Sequence, residues 1–203
     1  MENGLIHTVA KILVDKMNHY SGKEGLELQK LEFGMEILLI NISKLVFIYL
    51  LAALLGVLGQ TLIVHCSFVL VKRYSFGLHA LNSTVCTVVS CCMFVITPLL
   101  LAGYGVGNNF VVVIFIVVIF ILYCYAPADT KARPLIGSKL RKNLKLKAVI
   151  SGAIVMIVAL LVPSDSAKLL LSIGAAYQSV SILPLTYKIL RRSEKNYEKY
   201  ECV

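Results

Sequence analysis

A histidine and a cysteine, two residue types that together do nucleophilic chemistry, fall seven positions apart in one stretch of this chain. The stretch is Lys72-Arg73-Tyr74-Ser75-Phe76-Gly77-Leu78-His79-Ala80-Leu81-Asn82-Ser83-Thr84-Val85-Cys86, at the mouth of a long apolar run. Cysteine attacks as its thiolate, so it needs an imidazole to take the proton or a positive field that favours the anion. His79 and the pair Lys72-Arg73 supply both. On an unbroken α-helix His79 and Cys86 would share a face but stand about 10.5 Å apart along the axis. Proton transfer needs heavy atoms about 3 Å apart. Asn82, Ser83 and Thr84 offer another geometry, because all three are favoured at helix N-caps and disfavoured in helix interiors. A helix starting there puts Cys86 in its first turn, where the positive end of the helix stabilises a thiolate, and Gly77 eases a bend that folds His79 back. By residue type alone, His79 is equally an interfacial histidine and Cys86 a small apolar filler.

The elements that must position these residues are apolar helices. The chain has 203 residues, of which 58% are hydrophobic and only 15% charged, well under the quarter usual in soluble domains. This is the composition of an all-α integral membrane protein. Leu5, Ile6, Val9, Ile12, Leu13 and Met17 recur at helical spacing with Lys11, Asp15, Lys16 and Asn18 on the other side, which predicts an amphipathic helix lying in the membrane interface. Ser21-Gly22-Lys23-Glu24-Gly25 ends it, and a weaker amphipathic run through Leu31 and Phe33 follows. About 20 residues cross a bilayer, so the apolar block from Gly34 to Val71 is too long for one crossing and divides near Gly56. About six transmembrane helices result: roughly Met35 to Leu55, Val57 to Val71, Ser83 to Leu101, Phe110 to Tyr125, Val149 to Val162 and Leu169 to Tyr187. In the last of these Ser172, Gly174, Ala175, Ala176 and Ser179 suit close helix packing. The chain thus divides into an interfacial segment (1–33), a transmembrane domain (34–187) and a basic tail (188–203).

The formal net charge of +9 is concentrated in alternate connections. Lys72 and Arg73 precede the third span, and Lys131, Arg133, Lys139, Arg141, Lys142, Lys145 and Lys147 lie between the fourth and fifth. Lys188, Arg191, Arg192, Lys195 and Lys199 follow the sixth. Cytoplasmic loops carry such an excess, so six spans with both termini inside satisfy the pattern and put His79 and Cys86 at the cytoplasmic end of the third. Membrane topology accounts for this charge without nucleic acid. The connection between spans four and five opens with Tyr125-Ala126-Pro127-Ala128-Asp129-Thr130-Lys131-Ala132-Arg133-Pro134, whose prolines impose an extended path. Its cations read either as topology determinants facing anionic lipid or as a docking surface for an acidic peptide.

With these two stretches together, the chain resembles the AgrB family, membrane endopeptidases of Gram-positive quorum-sensing systems. The residues that carry the resemblance are Lys72-Arg73, Gly77, His79-Ala80 and Cys86, then Tyr125-Ala126-Pro127-Ala128 followed by Thr130, a basic residue and Pro134. The resemblance implies that Cys86 is the nucleophile and His79 its general base, with no cofactor. It implies a short precursor peptide as substrate, with an amphipathic leader and an acidic tail, cleaved before the tail to leave a thioester that an internal cysteine or serine captures as a ring. It also implies a homodimer. On that reading Lys72, Arg73, Gly77, Lys131, Arg133, Lys139, Arg141 and Lys142 are candidate substrate-binding residues, and the N-terminal helix aligns the leader. Lys72 stands where the family pattern leads us to expect arginine, which leaves Arg73 as the better carboxylate fork. Gln60, Asn82 and Asp129 are open candidates for orienting His79.

Another class competes. A small carrier or channel would use the polar Gln60 and His65 within the second span. An intramembrane metalloprotease would need a motif such as His-Glu-x-x-His, which the sequence lacks.

Overall fold

A computed structural model of the chain describes residues 3–78, 83–130, 134–193 and 196–201. Among them the fold is helical, without strands, and the only extended pairing is one isolated bridge. The chain divides into two units, Met1–Leu51 and Ala52–Val203.

In the first unit α1 (Asn3–Ser21) is the expected amphipathic helix. Ala10 and Val14 are buried, whereas Val9, Ile12, Leu13 and Met17 are exposed, an apolar face suited to a membrane surface. The turn after it is closed by Asn18, whose side chain donates to the Lys23 carbonyl and accepts from the Lys23 N–H, both at 2.8 Å. Gly22 and Gly25 take the positive φ the turn requires. The weak amphipathic run and the first apolar block are one continuous helix, α2 (Leu26–Leu54). Nothing between Leu26 and Met35 breaks an α-helix, since a single Gly34 only weakens it.

Beyond Gly56, at φ +72°, the division expected in the long apolar block, α3 (Leu58–Ser75) begins. The next span is interrupted. α4 (Ser83–Cys91) passes through a π-helical stretch, Cys92–Ile96, into α5 (Thr97–Leu100). Pro98 has no N–H to continue the ladder, and the hydrogen bonds widen ahead of it, Thr97 N–H reaching back to the Cys92 carbonyl. α6 (Asn108–Tyr125) buries Val111, Phe115, Val118 and Leu122 at helical spacing and exposes Val113, Ile116 and Phe120. α7 (Ser138–Leu161) starts well before the apolar residues, so Lys139, Arg141, Lys142, Lys145 and Lys147 ride on helix rather than on an extended connection. α8 (Asp165–Ser181) is capped by Ser164 Oγ, which accepts from the Ala167 N–H at 3.3 Å. The sixth span is shorter than expected. Leu183 is extended before Pro184, which opens a separate helix, α9 (Pro184–Ile189), and α10 (Glu198–Glu201) follows.

α2, α6 and α7 are long and apolar enough to cross a membrane, and Thr84–Leu100 is a shorter apolar helix. The core of the second unit forms where α3, α6, α7 and α8 pack together. The small residues of α8 serve as expected. A Cβ on Gly174 would run into the Val64 carbonyl and Ser67 of α3, and Ser67 Oγ donates to the Leu171 carbonyl at 2.6 Å. This close approach fixes α8 against α3, and so sets what lies at the far end of α3.

Candidate functional site

At its C-terminal end α3 runs out in Ser75. Phe76 takes φ +57° and Gly77 φ +102°, a turn that the Phe76 side chain resists and glycine tolerates. The chain then pairs with the segment after α6. Gly77 N–H donates to the Ala128 carbonyl at 3.0 Å, and Ala128 N–H donates to the Ser75 carbonyl at 2.9 Å. The two motifs that stand forty residues apart in sequence are thus neighbours in one short parallel bridge. Gly77 is buried against α8 and its exit, where a Cβ would lie 3.0 Å from both Ile182 Cγ2 and Ser181 Oγ.

Gln178 of α8 reaches into the same turn. Its Nε2 donates to Ser75 Oγ at 2.8 Å and to the Phe76 carbonyl at 2.6 Å. The side chain is fully buried, and its Oε1 has no hydrogen-bond partner among the described residues.

Cys86 is the fourth residue of α4 and half-buried. The Lys72 ammonium lies 4.8 Å over the Phe68 ring, and Phe68 and His65 both stack on Phe94 of the π-helical stretch, with centroids 5.2 and 4.6 Å apart. Lys72 therefore belongs to the face of α3 that meets the span carrying Cys86. Arg73 is exposed and lies 5.9 Å over the Tyr74 ring, as Lys147 does. Of the two adjacent cations, Lys72 is the one on that face. His79, Lys131 and Arg133 lie outside the described residues, as does Asn82.

The basic helix start and the chain's own tail form a second constellation. A cavity of about 570 Å³ is lined among others by Tyr125, Asp129, Arg141, Lys142, Lys145 and Tyr197. Arg141 grips Glu201 with both arms, at 2.6 and 2.9 Å, and Gly137 N–H donates to the same carboxylate at 2.7 Å. The guanidinium lies 3.8 Å over the Tyr197 ring. These bonds hold the Glu201 carboxyl below its ordinary range, the Arg141 bond contributing most. Lys139 and Lys142 are exposed. Asp129, a candidate for orienting His79, meets the chain's tail among the described residues. It is 5% exposed and accepts from Tyr197 N–H at 2.9 Å and from Asn196 Nδ2 at 3.3 Å, while its backbone carbonyl takes the Tyr187 hydroxyl at 2.9 Å. Gln60 lies at the opposite end of α3, beside Ser164 and Leu170.

The family model for accessory gene regulator B matches residues 6–182. The chain belongs to the AgrB family. A putative AgrB-like protein of Clostridium acetobutylicum is 41% identical over 98% of this chain and 96% of its own length. One from Listeria monocytogenes is 42% identical over 97% and 96%. An accessory gene regulator protein B of Staphylococcus intermedius is 34% identical over 84% of this chain and 89% of its own. No solved structure matches. Membership of the AgrB family fits the helical membrane fold and involvement in quorum sensing. Sequence reading missed Gln178, Ser75 and Tyr187 as parts of the site. For Gln178 a signal existed, since it is the only carboxamide in the sixth apolar span, where an isolated polar side chain invites a functional reading.

Proposed function

We propose that this chain is a membrane cysteine endopeptidase that removes the acidic tail of a short pheromone precursor peptide and promotes closure of the remainder into a thiolactone or lactone signal. The observation that supports it best is the setting of Cys86: a half-buried thiol, the fourth residue of α4, on the span whose Phe94 packs against the Lys72-bearing face of α3. A positive helix end and a neighbouring cation both favour thiolate.

In the proposed reaction His79 takes the Cys86 proton and the thiolate attacks the carbonyl of the bond preceding the tail. The tetrahedral intermediate collapses, the amine of the tail leaves with the proton returned by His79, and the rest of the peptide stays on Cys86 as a thioester. A cysteine or serine within the peptide attacks that thioester, closes the ring and releases the Cys86 thiolate. Exchange of one thioester for another is nearly isoenergetic, so a site that excludes water favours cyclisation over hydrolysis. The acidic tail has cations to meet on α7: Lys139 and Lys142 are exposed, and Arg141 already shows that its fork takes a carboxylate. Lys131 and Arg133 would extend that surface. The concentration of Lys and Arg in alternate connections supports a multi-pass arrangement in the bacterial cytoplasmic membrane with this site on the cytoplasmic side. A homodimer in contact with lipid is part of the same reading.

The test is mass spectrometry of wild-type and Cys86→Ser protein in lipid, each mixed with the precursor peptide encoded beside this chain's gene. The expected result is a wild-type protein heavier by the tailless peptide, through a bond that hydroxylamine breaks, with no such adduct on the variant. Peptide left intact by the wild type, when a second peptide bearing another acidic tail is also left intact, would sink the proposal.

A further inference from the structure

Gln178 is placed against the economy of packing. It is fully buried among apolar and small residues, where leucine or methionine would fill the volume with no polar atom to satisfy. The Phe76 carbonyl can only accept a hydrogen bond, so the Gln178 amide nitrogen must face it. Both N–H bonds are then spent on Ser75 and Phe76, and Oε1 is left buried with no partner among the described residues. The carboxamide's two donated bonds thus both fall on the turn it holds.

That turn needs holding. Phe76 is a non-glycine residue at positive φ, and Gly77 follows at φ +102°, a sequence of conformations that persists only when the surroundings over-determine it. Ala128 fixes it from one side through two main-chain bonds, and Gln178 fixes it from the other. His79 follows Gly77 by two residues, so the direction in which the chain leaves this turn sets where the His79 segment begins.

We propose, resting on the peptidase reading above, that Gln178 is a positioning residue: its amide clamps the Ser75–Gly77 turn and thereby fixes the approach of His79 to Cys86. It touches neither substrate nor thiol, and acts through the backbone that delivers the base. The turn is also what joins the two motif segments, so a single side chain of α8 sets the register between them.

The experiment uses full-length protein in lipid in which Cys66, Cys91, Cys92, Cys124 and Cys202 are replaced by serine, leaving Cys86 as the one thiol. Two quantities are read: the rate at which iodoacetamide alkylates Cys86 at neutral pH, and kcat and KM for the precursor peptide. In the parent protein alkylation should be fast, and His79→Ala should slow it about tenfold or more. Gln178→Met should bring the alkylation rate down to that of His79→Ala and lower kcat at least tenfold while leaving KM within twofold. A glutamate at this buried position is neutral and keeps one donor, so Gln178→Glu should recover part of both rates. Should the methionine variant fail to fold, the same comparison on Gln178→Glu decides. Parent rates of alkylation and turnover in a folded Gln178→Met protein, or in Gln178→Glu where it stands in, overturn the proposal. If His79→Ala alkylates as fast as the parent, the pairing of His79 with Cys86 is what fails, and the peptidase reading falls with it.

Discussion

Gly77 and Ala128, fifty-one residues apart in the chain, are joined by a main-chain hydrogen bond of 3.0 Å from the Gly77 N–H to the Ala128 carbonyl. Together with the bond from Ala128 N–H to the Ser75 carbonyl, it ties the end of α3 to the segment that follows α6. On the proposed reading, the first brings the base and the second the surface that holds the substrate's acidic tail, so their relative placement is a condition for cleavage at a defined bond.

Gly77→Ala tests that condition. An L side chain is strained at φ +102°, and its Cβ would press on Ile182 Cγ2 and Ser181 Oγ at 3.0 Å. The expected cost is about 1–3 kcal/mol, seen as a lower unfolding temperature in detergent, together with a fall of at least about tenfold in peptide turnover. A variant with unchanged stability and turnover would show that the turn is not under constraint.

Lys72 and Arg73 should separate in their effects. Lys72 lies over the Phe68 ring, on the face of α3 that meets the span carrying Cys86, whereas Arg73 is exposed and lies over Tyr74. Lys72→Met is expected to slow alkylation of Cys86 by about three- to tenfold, since one factor of ten corresponds to about 1.4 kcal/mol of differential stabilisation of the anion. Arg73→Met should leave that rate within about twofold and weaken peptide binding instead. Equal effects of the two variants on alkylation would contradict the assignment.

The docked tail should respond to acid. The Glu201 carboxyl is held below its ordinary range by Arg141 and by the Gly137 N–H, so its contribution is fully present above the unperturbed glutamate value of about 4.3 and is lost as pH falls through the lower folded value. The raised Arg141 value adds nothing to this window, because the guanidinium stays charged throughout it. Protection of the amides of Tyr197 and its neighbours, measured against the intrinsic exchange rate at each pH, should therefore fall below about pH 4 in the parent protein. In Glu201→Gln that protection should be low already at neutral pH. Added salt should loosen the parent's tail as well, because the pair is exposed.

Much of the fold was legible in the chain itself. Apolar runs of bilayer length, the Gly56 turn, the amphipathic first helix and the small residues of α8 are local patterns, and each appears in the structure. The boundaries that were missed have local causes that composition hides. Lys139 to Lys147 are good helix formers despite their charge, so α7 starts at Ser138 rather than at the first apolar residue. Pro184 splits the last apolar run because the residue before a proline is pushed out of the helical region. The thiol falls early in α4, as the cap preferences of the residues before it suggested.

Which side chains meet across the helices was not readable. Nothing local announced that Arg141 would hold the chain's own Glu201 or that Asp129 would accept from the Tyr197 N–H. Gln178 lies one hundred residues from the turn it clamps. The sequence by itself determined a helical membrane chain with a thiol at a helix start and cations gathered beside it, since these follow from period, length and charge. Only the tertiary structure decided that Lys72 lies on the face of α3 toward the Cys86 span, that Ala128 pairs with Gly77 and that Gln178 grips Phe76. Such pairings depend on how closely α8 approaches α3 at Gly174 and on the angle at which each helix ends, and packing of the whole sets these, not any local stretch.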